Sequence, residues 1–119
     1  MPPQSISSHA TDEDKVDEAI SLLEQATRIQ PNHELVTLQL GKSYLRKGRN
    51  QDAFKSFLLV RRLYPNNWTA LLGLALLHAD AGDEAQARTL IAEALQTGGD
   101  ATRNYAAGFP LLLELMAPQ

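Results

Sequence analysis

Two prolines, Pro31 and Pro65, stand 34 residues apart in matching settings, Arg28-Ile29-Gln30-Pro31-Asn32 and Arg62-Leu63-Tyr64-Pro65-Asn66. Gly48 and Gly82 keep the same 34-residue separation. A chain punctuated at one fixed period is built from a repeated unit, and such a unit buries its apolar face on its neighbours rather than alone. Between Pro31 and Gly48, Leu35, Leu38, Leu40, Gly41, Tyr44 and Leu45 form one helical pattern, and Ala53, Phe54, Phe57, Leu58 and Val60 form another before Pro65. The series restarts with Leu71, Leu72, Leu74, Ala75 and Leu77, breaks at Gly82, and continues through Ala87, Leu90, Ile91, Ala94 and Leu95 to Gly98-Gly99. Each unit reads as two short helices joined by a tight turn in which glycine takes a left-handed conformation.

The ends differ from the middle. Residues 1–10 hold Pro, Ser and Gln around a single Ile6, too little apolar surface to offset the entropy of ordering them, so a flexible tail is expected over 1–11. Thr11-Asp12-Glu13-Asp14 then supplies a capping hydroxyl and three carboxylates suited to a helix start. Val16, Ala19, Ile20, Leu23 and Ala26 give that helix its stripe. The reading is a helical domain over 12–117: a half repeat at 12–31, repeats at 34–65 and 68–99, and a closing helix at 101–117. Helices are predicted near 12–30, 34–47, 50–63, 67–81 and 84–97, with the closing helix broken at Gly108-Phe109-Pro110. Tyr105, Ala106, Phe109, Leu112, Leu113 and Met116 give it an apolar face suited to covering the last pair.

Composition narrows the chemistry. The 119 residues contain no cysteine, which excludes disulfides, thiol nucleophiles and cysteine-ligated zinc. A formal charge of −3 gives no basic field for nucleic acid or an anionic membrane surface. No apolar run approaches the ~20 residues of a membrane span, and the N-terminus lacks a secretory pattern, so a soluble cytoplasmic protein is expected. The histidines, His9, His33 and His78, are scattered and show no zinc spacing. His78 and Asp80 point apart on a helix, and His78 reads as a packing imidazole. The acidic cluster at 12–18 reads as helix capping, and Arg46-Lys47-Gly48-Arg49 and Arg61-Arg62 as solvated or partner-facing charge without interleaved aromatics. No glycine loop of the phosphate-binding kind occurs, so neither a cofactor nor a metal is expected.

On these residues the chain resembles the tetratricopeptide repeat family, whose pattern runs W-x2-L-G-x2-Y, then A-x3-F, then P. Thr37 stands at the Trp position, Leu40-Gly41 and Tyr44 follow in register, Ala53 and Phe57 keep the next offset, and Pro65 closes the unit. The following unit departs further, with Leu71, Leu74-Ala75, His78, Ala87, Ile91, Ala94 and a final Gly99 in place of proline. The half unit contributes Ala19, Leu23, Ala26 and Pro31. The resemblance implies an all-α fold, a right-handed superhelical stack of antiparallel helix pairs with about two full repeats between half units.

It also implies that the first helix of each pair lines an inner face. The family positions transfer to Leu35, Leu38, Gln39, Lys42, Leu45 and Arg46 on one helix, and to Thr69, Leu72, Gly73, Leu76, Ala79 and Asp80 on the next. Leu38, Leu72 and Leu76 come in addition to the leucines that pack the pairs, so these helices carry apolar residues around much of their circumference and need a second cover. Another chain, the closing helix or the tail around Ile6 are the candidates. The function so implied is a non-catalytic protein-interaction module, holding an amphipathic helix or extended apolar chain of a partner, as an assembly factor or chaperone would. The alternative is a homo-oligomer whose groove is filled by a second copy. An enzyme is not expected, because no nucleophile accompanies the lone histidines.

Overall fold

The computed structural model describes residues 11–116, and the expected tail lies outside the described residues except for Thr11. Seven helices follow one another among the described residues, with no strand: α1 Asp12–Ile29, α2 Glu34–Lys47, α3 Asn50–Leu63, α4 Trp68–Asp80, α5 Glu84–Gly98, α6 Asp100–Ala106 and α7 Pro110–Met116. Their ends follow local chemistry. At α1 the Thr11 hydroxyl accepts from the Asp14 amide while the Asp14 carboxylate accepts from the Thr11 amide, a reciprocal capping box. His33, Asn67 and Asp83 cap α2, α4 and α5 by accepting from amides three residues on. Imidazole Nδ1 at His33 thus serves as a cap.

The two turns within pairs are copies of each other. Gly48 and Gly82 take φ of 85° and 90°. The Arg49 amide donates to the Tyr44 carbonyl, and 34 residues later the Asp83 amide donates to the His78 carbonyl, both at 2.8 Å. This bond pattern closes the carbonyls that a helix end leaves open. The closing segment is split, as expected from Gly108-Phe109-Pro110: α6 ends at Ala106 and Pro110 opens α7, where its missing N–H is harmless.

Helices pack in sequence order, α1 on α2, α2 with α3, α3 on α4, α4 with α5, and the closing segment returns over both α4 and α5. The result is a helical repeat solenoid, elongated to 58 × 30 × 25 Å. One buried core runs through it, from Val16 and Ile20 through Phe57, Val60 and Leu72 to Leu90 and Leu112. Phe57 is its pivot. A Cβ on Gly41 would lie 2.8 Å from its ring, and one on Gly73 would lie 2.6 Å from it, so α2 and α4 each approach the ring as only glycine allows.

Polar links tie successive units. The Tyr44 hydroxyl donates to Glu24 at 2.6 Å, and burial first, then this bond, push its pKa up to about 12. Lys47 reaches back to Glu13 and Asp17, and those hydrogen bonds raise its pKa. Tyr64 donates to the Asn32 carbonyl, Asn67 to Glu34, and Arg61 pairs with Glu93.

Candidate functional site

The groove forms where α2 and α4 run side by side and the closing segment stands across them. Its floor is the edge of the buried Phe57 ring, against which Gly73 packs without a side chain. Lys42, Leu45 and Arg46 come from α2, and Thr69, Leu72 and Leu76 from α4. Tyr105 and Phe109, from α6 and the turn after it, make the far wall. These residues enclose an apolar cavity of about 290 Å³.

The far wall is fixed from behind. Thr102 is fully buried and its hydroxyl donates to the Ala94 carbonyl at 2.9 Å, which docks α6 on α5. A Cβ on Gly98 would collide with Thr102 Oγ1 and lie 2.6 Å from the Trp68 ring, so α6 and Trp68 close on the end of α5 only because it is glycine, and the turn itself follows at Gly99, with φ of 56°. Trp68 meets Tyr105 edge to face at 5.7 Å, and Tyr105 packs on Phe109 at 5.5 Å. The Lys42 ammonium lies 5.4 Å from the centre of the Tyr105 ring, within cation–π reach, which holds it at the cavity mouth.

Of the inner-face residues read from sequence, Lys42, Leu45, Arg46, Thr69, Gly73, Leu72 and Leu76 meet at this cavity. The others do not. Leu35 and Leu38 border a separate shallow depression with His33, Glu34, Tyr64 and Asn67. Asp80 borders a third with Asn50, Phe54 and His78, and Gln39 is half-buried outside all of these depressions. The extra leucines of the inner face differ in their cover: Leu72 is 0% exposed and Leu38 8%. Leu72 is sealed within the chain itself, where the closing segment and Phe57 share the space around it, while Leu76 and Leu45 are half-buried. Helical periodicity places these leucines on the inner face but carries no information on which already have cover.

Tyr105, Phe109 and Phe57 are groove residues that the repeat pattern does not mark as such. The pair of aromatics four apart in the closing segment is the one local signal that points there, and periodicity alone assigns it to covering the last pair. His78 packs edge to face on Phe54 at 5.8 Å, with Nδ1 3.7 Å from Asp83. Among the described residues, no three His, Asp or Glu side chains gather in a metal-holding group.

A sequence profile described as tetratricopeptide repeat matches residues 38–105, more than half of the chain, and a second of the same description matches residues 10–57. The chain belongs to the tetratricopeptide repeat family. Tetratricopeptide repeats generally mediate protein–protein interaction, and the twin turns at Gly48 and Gly82 are the joints of two such repeats. No curated protein matches the chain. No helix among the described residues is long and apolar enough to cross a membrane.

Proposed function

We propose that this tetratricopeptide repeat protein is a non-catalytic interaction module that holds a segment of a partner protein between α2, α4 and the closing segment. The observation that carries the reading is the 290 Å³ apolar cavity in that groove, with cations at its mouth. Among the described residues its lining includes no histidine and no carboxylate. An amphipathic helix or an extended apolar chain suits it, since either can bury side chains in the cavity while its polar edge stays at the rim. Shielding such a segment until it assembles elsewhere is the work of an assembly factor or chaperone.

Leu45 and Leu76 are the half-buried apolar walls, which makes them the substitutions to test. Leu45→Asp with Leu76→Asp should lose a co-purifying partner while keeping the helical circular-dichroism spectrum. Retention of the partner by this double variant contradicts the reading.

A homo-oligomer is the second reading, and α1 supports it. Ala53, Phe57 and Val60 in α3, and Ala87, Ile91 and Ala94 in α5, are sealed, whereas Ala19, Leu23 and Ala26 at the same positions of α1 are only half-buried. Leu22 and Ile29 extend that face at 58% and 81% exposure. Light scattering decides between the readings: a dimer made monomeric by Leu22→Lys with Ile29→Lys supports association of copies through α1, and a monomer throughout excludes it.

A further inference from the structure

The cavity differs from the other depressions in its charge, since carboxylates border those: Asp80 one, Glu34 another, Asp12 and Glu13 a third, and Glu84 and Glu114 a fourth. Lys47 pairs with Glu13 and Asp17, Arg49 with Asp52, Arg61 with Glu93 and Arg88 with Glu84. Lys42 and Arg46 form no ion pair among the described residues, as is also true of Lys15, Arg28, Lys55, Arg62 and Arg103, but these two stand at a cavity whose described lining holds no carboxylate. Arg46 also borders a depression holding Asp12 and Glu13, so its charge is shared with α1. Lys42 is therefore the cation given over to the groove, and the Tyr105 ring keeps its ammonium there instead of letting it sweep through solvent.

The cavity's size is equally specific. An engineered apolar cavity of about 150 Å³ takes up a benzene molecule. At about 290 Å³ this one has room for a single large side chain, Phe, Trp, Met or Leu, with space to adjust. Its aromatic walls and floor, Tyr105, Phe109 and Phe57, favour a flat or bulky apolar guest. A deep apolar socket with a rim charge beside it is the arrangement in which one anchor supplies most of the affinity and the charge supplies selectivity.

We infer that the groove selects an acidic anchor motif: a partner helix that inserts one large apolar side chain into the cavity and carries a carboxylate about one helical turn away, where it meets Lys42. This rests on the reading of the groove as a partner site and adds the chemistry of the partner to it. A basic amphipathic helix is disfavoured, because its charge would face Lys42 with no acidic group at the cavity to offset it.

Three synthetic helix-forming peptides test the inference by calorimetric titration against the whole protein. The first has a central Phe with Glu one turn to either side, the second replaces both Glu with Lys, and the third replaces the Phe with Ala. The Glu–Phe peptide should bind roughly fivefold or more tightly than the Lys peptide, with the gap closing in high salt. The Ala peptide should lose roughly 30-fold. Lys42→Glu should reverse the order of the first two peptides, and Thr69→Trp, which fills the cavity from the half-exposed start of α4, should weaken both while the thermal midpoint holds.

Equal binding of the Glu and Lys peptides, with both lost in Thr69→Trp, overturns the acidic motif and leaves the groove reading standing. Binding that Thr69→Trp and Lys42→Glu both leave untouched overturns the groove reading as well. No binding of the Glu–Phe peptide overturns the inference, as does free phenylpropionate binding as tightly as the peptide, since the site would then belong to a small carboxylate.

Discussion

Glycines at equivalent-looking positions carry different physical loads in this chain. Gly73 sits inside α4, where alanine would gain about 1 kcal/mol of helix propensity. Its Cβ would, however, stand 2.6 Å from Phe57, whose ring is 1% exposed and already confined by Gly41 on the other side. Overpacking of about 1–3 kcal/mol should win, so Gly73→Ala is expected to lower the thermal midpoint, and Phe57→Leu should restore part of the loss in the double variant. A Cβ on Gly48 would meet nothing within 4 Å, and its φ of 85° alone sets the cost of Gly48→Ala. That cost is about 1 kcal/mol, with no rescue by a neighbour's change. Tyr44 supplies a pH dependence. Its pKa rises from 10.0 to about 12 on folding, so the stability it contributes is complete below pH 10 and is lost as pH climbs toward 12, where the unfolded chain releases the proton first. Lys47 loses its contribution in the same direction, above its ordinary value of 10.5. Urea midpoints followed from pH 10.0 to about 12 should fall more steeply in wild type than in Tyr44→Phe.

Among the elements, the helix ends were legible because each is set by residues within a few positions: Pro31 and Pro65 stop helices, Gly48 and Gly82 reverse them, and Thr11 with Asp14 opens one. The predicted boundaries agree with α1 to α5 within a residue or two. The groove was legible only in part. Lys42, Arg46, Thr69 and Leu76 follow from their place on the first helix of each pair, but Tyr105 and Phe109 reach them through the turn at Gly99, the close contact at Gly98 and the docking of Thr102, contacts between residues distant in sequence that no local period encodes. For the same reason the closing segment over Leu72 was legible only as one of three candidate covers. The stack is also uneven in its support: among the described helices α1 packs on α2 alone, while α5 is held by α4, α6 and α7. Thr11→Ala should therefore cost about 1 kcal/mol through loss of the capping box, and its effect should stay local. Native-state hydrogen exchange is expected to speed up in α1 and remain unchanged in α3 to α5.

For the whole molecule, the repeats make an elongated stack in which α4 contributes the largest share of the buried core, and the proposed groove lies between α2, α4 and the closing segment. The measurement that tests this proposal most directly is hydrogen exchange on the protein with and without the Glu–Phe peptide. The account predicts protection concentrated at residues 42–46, 69–76 and 105–109, with residues 50–63 and 84–98 unchanged. Protection confined to α3 and α5, or to the exposed face of α1, would contradict it.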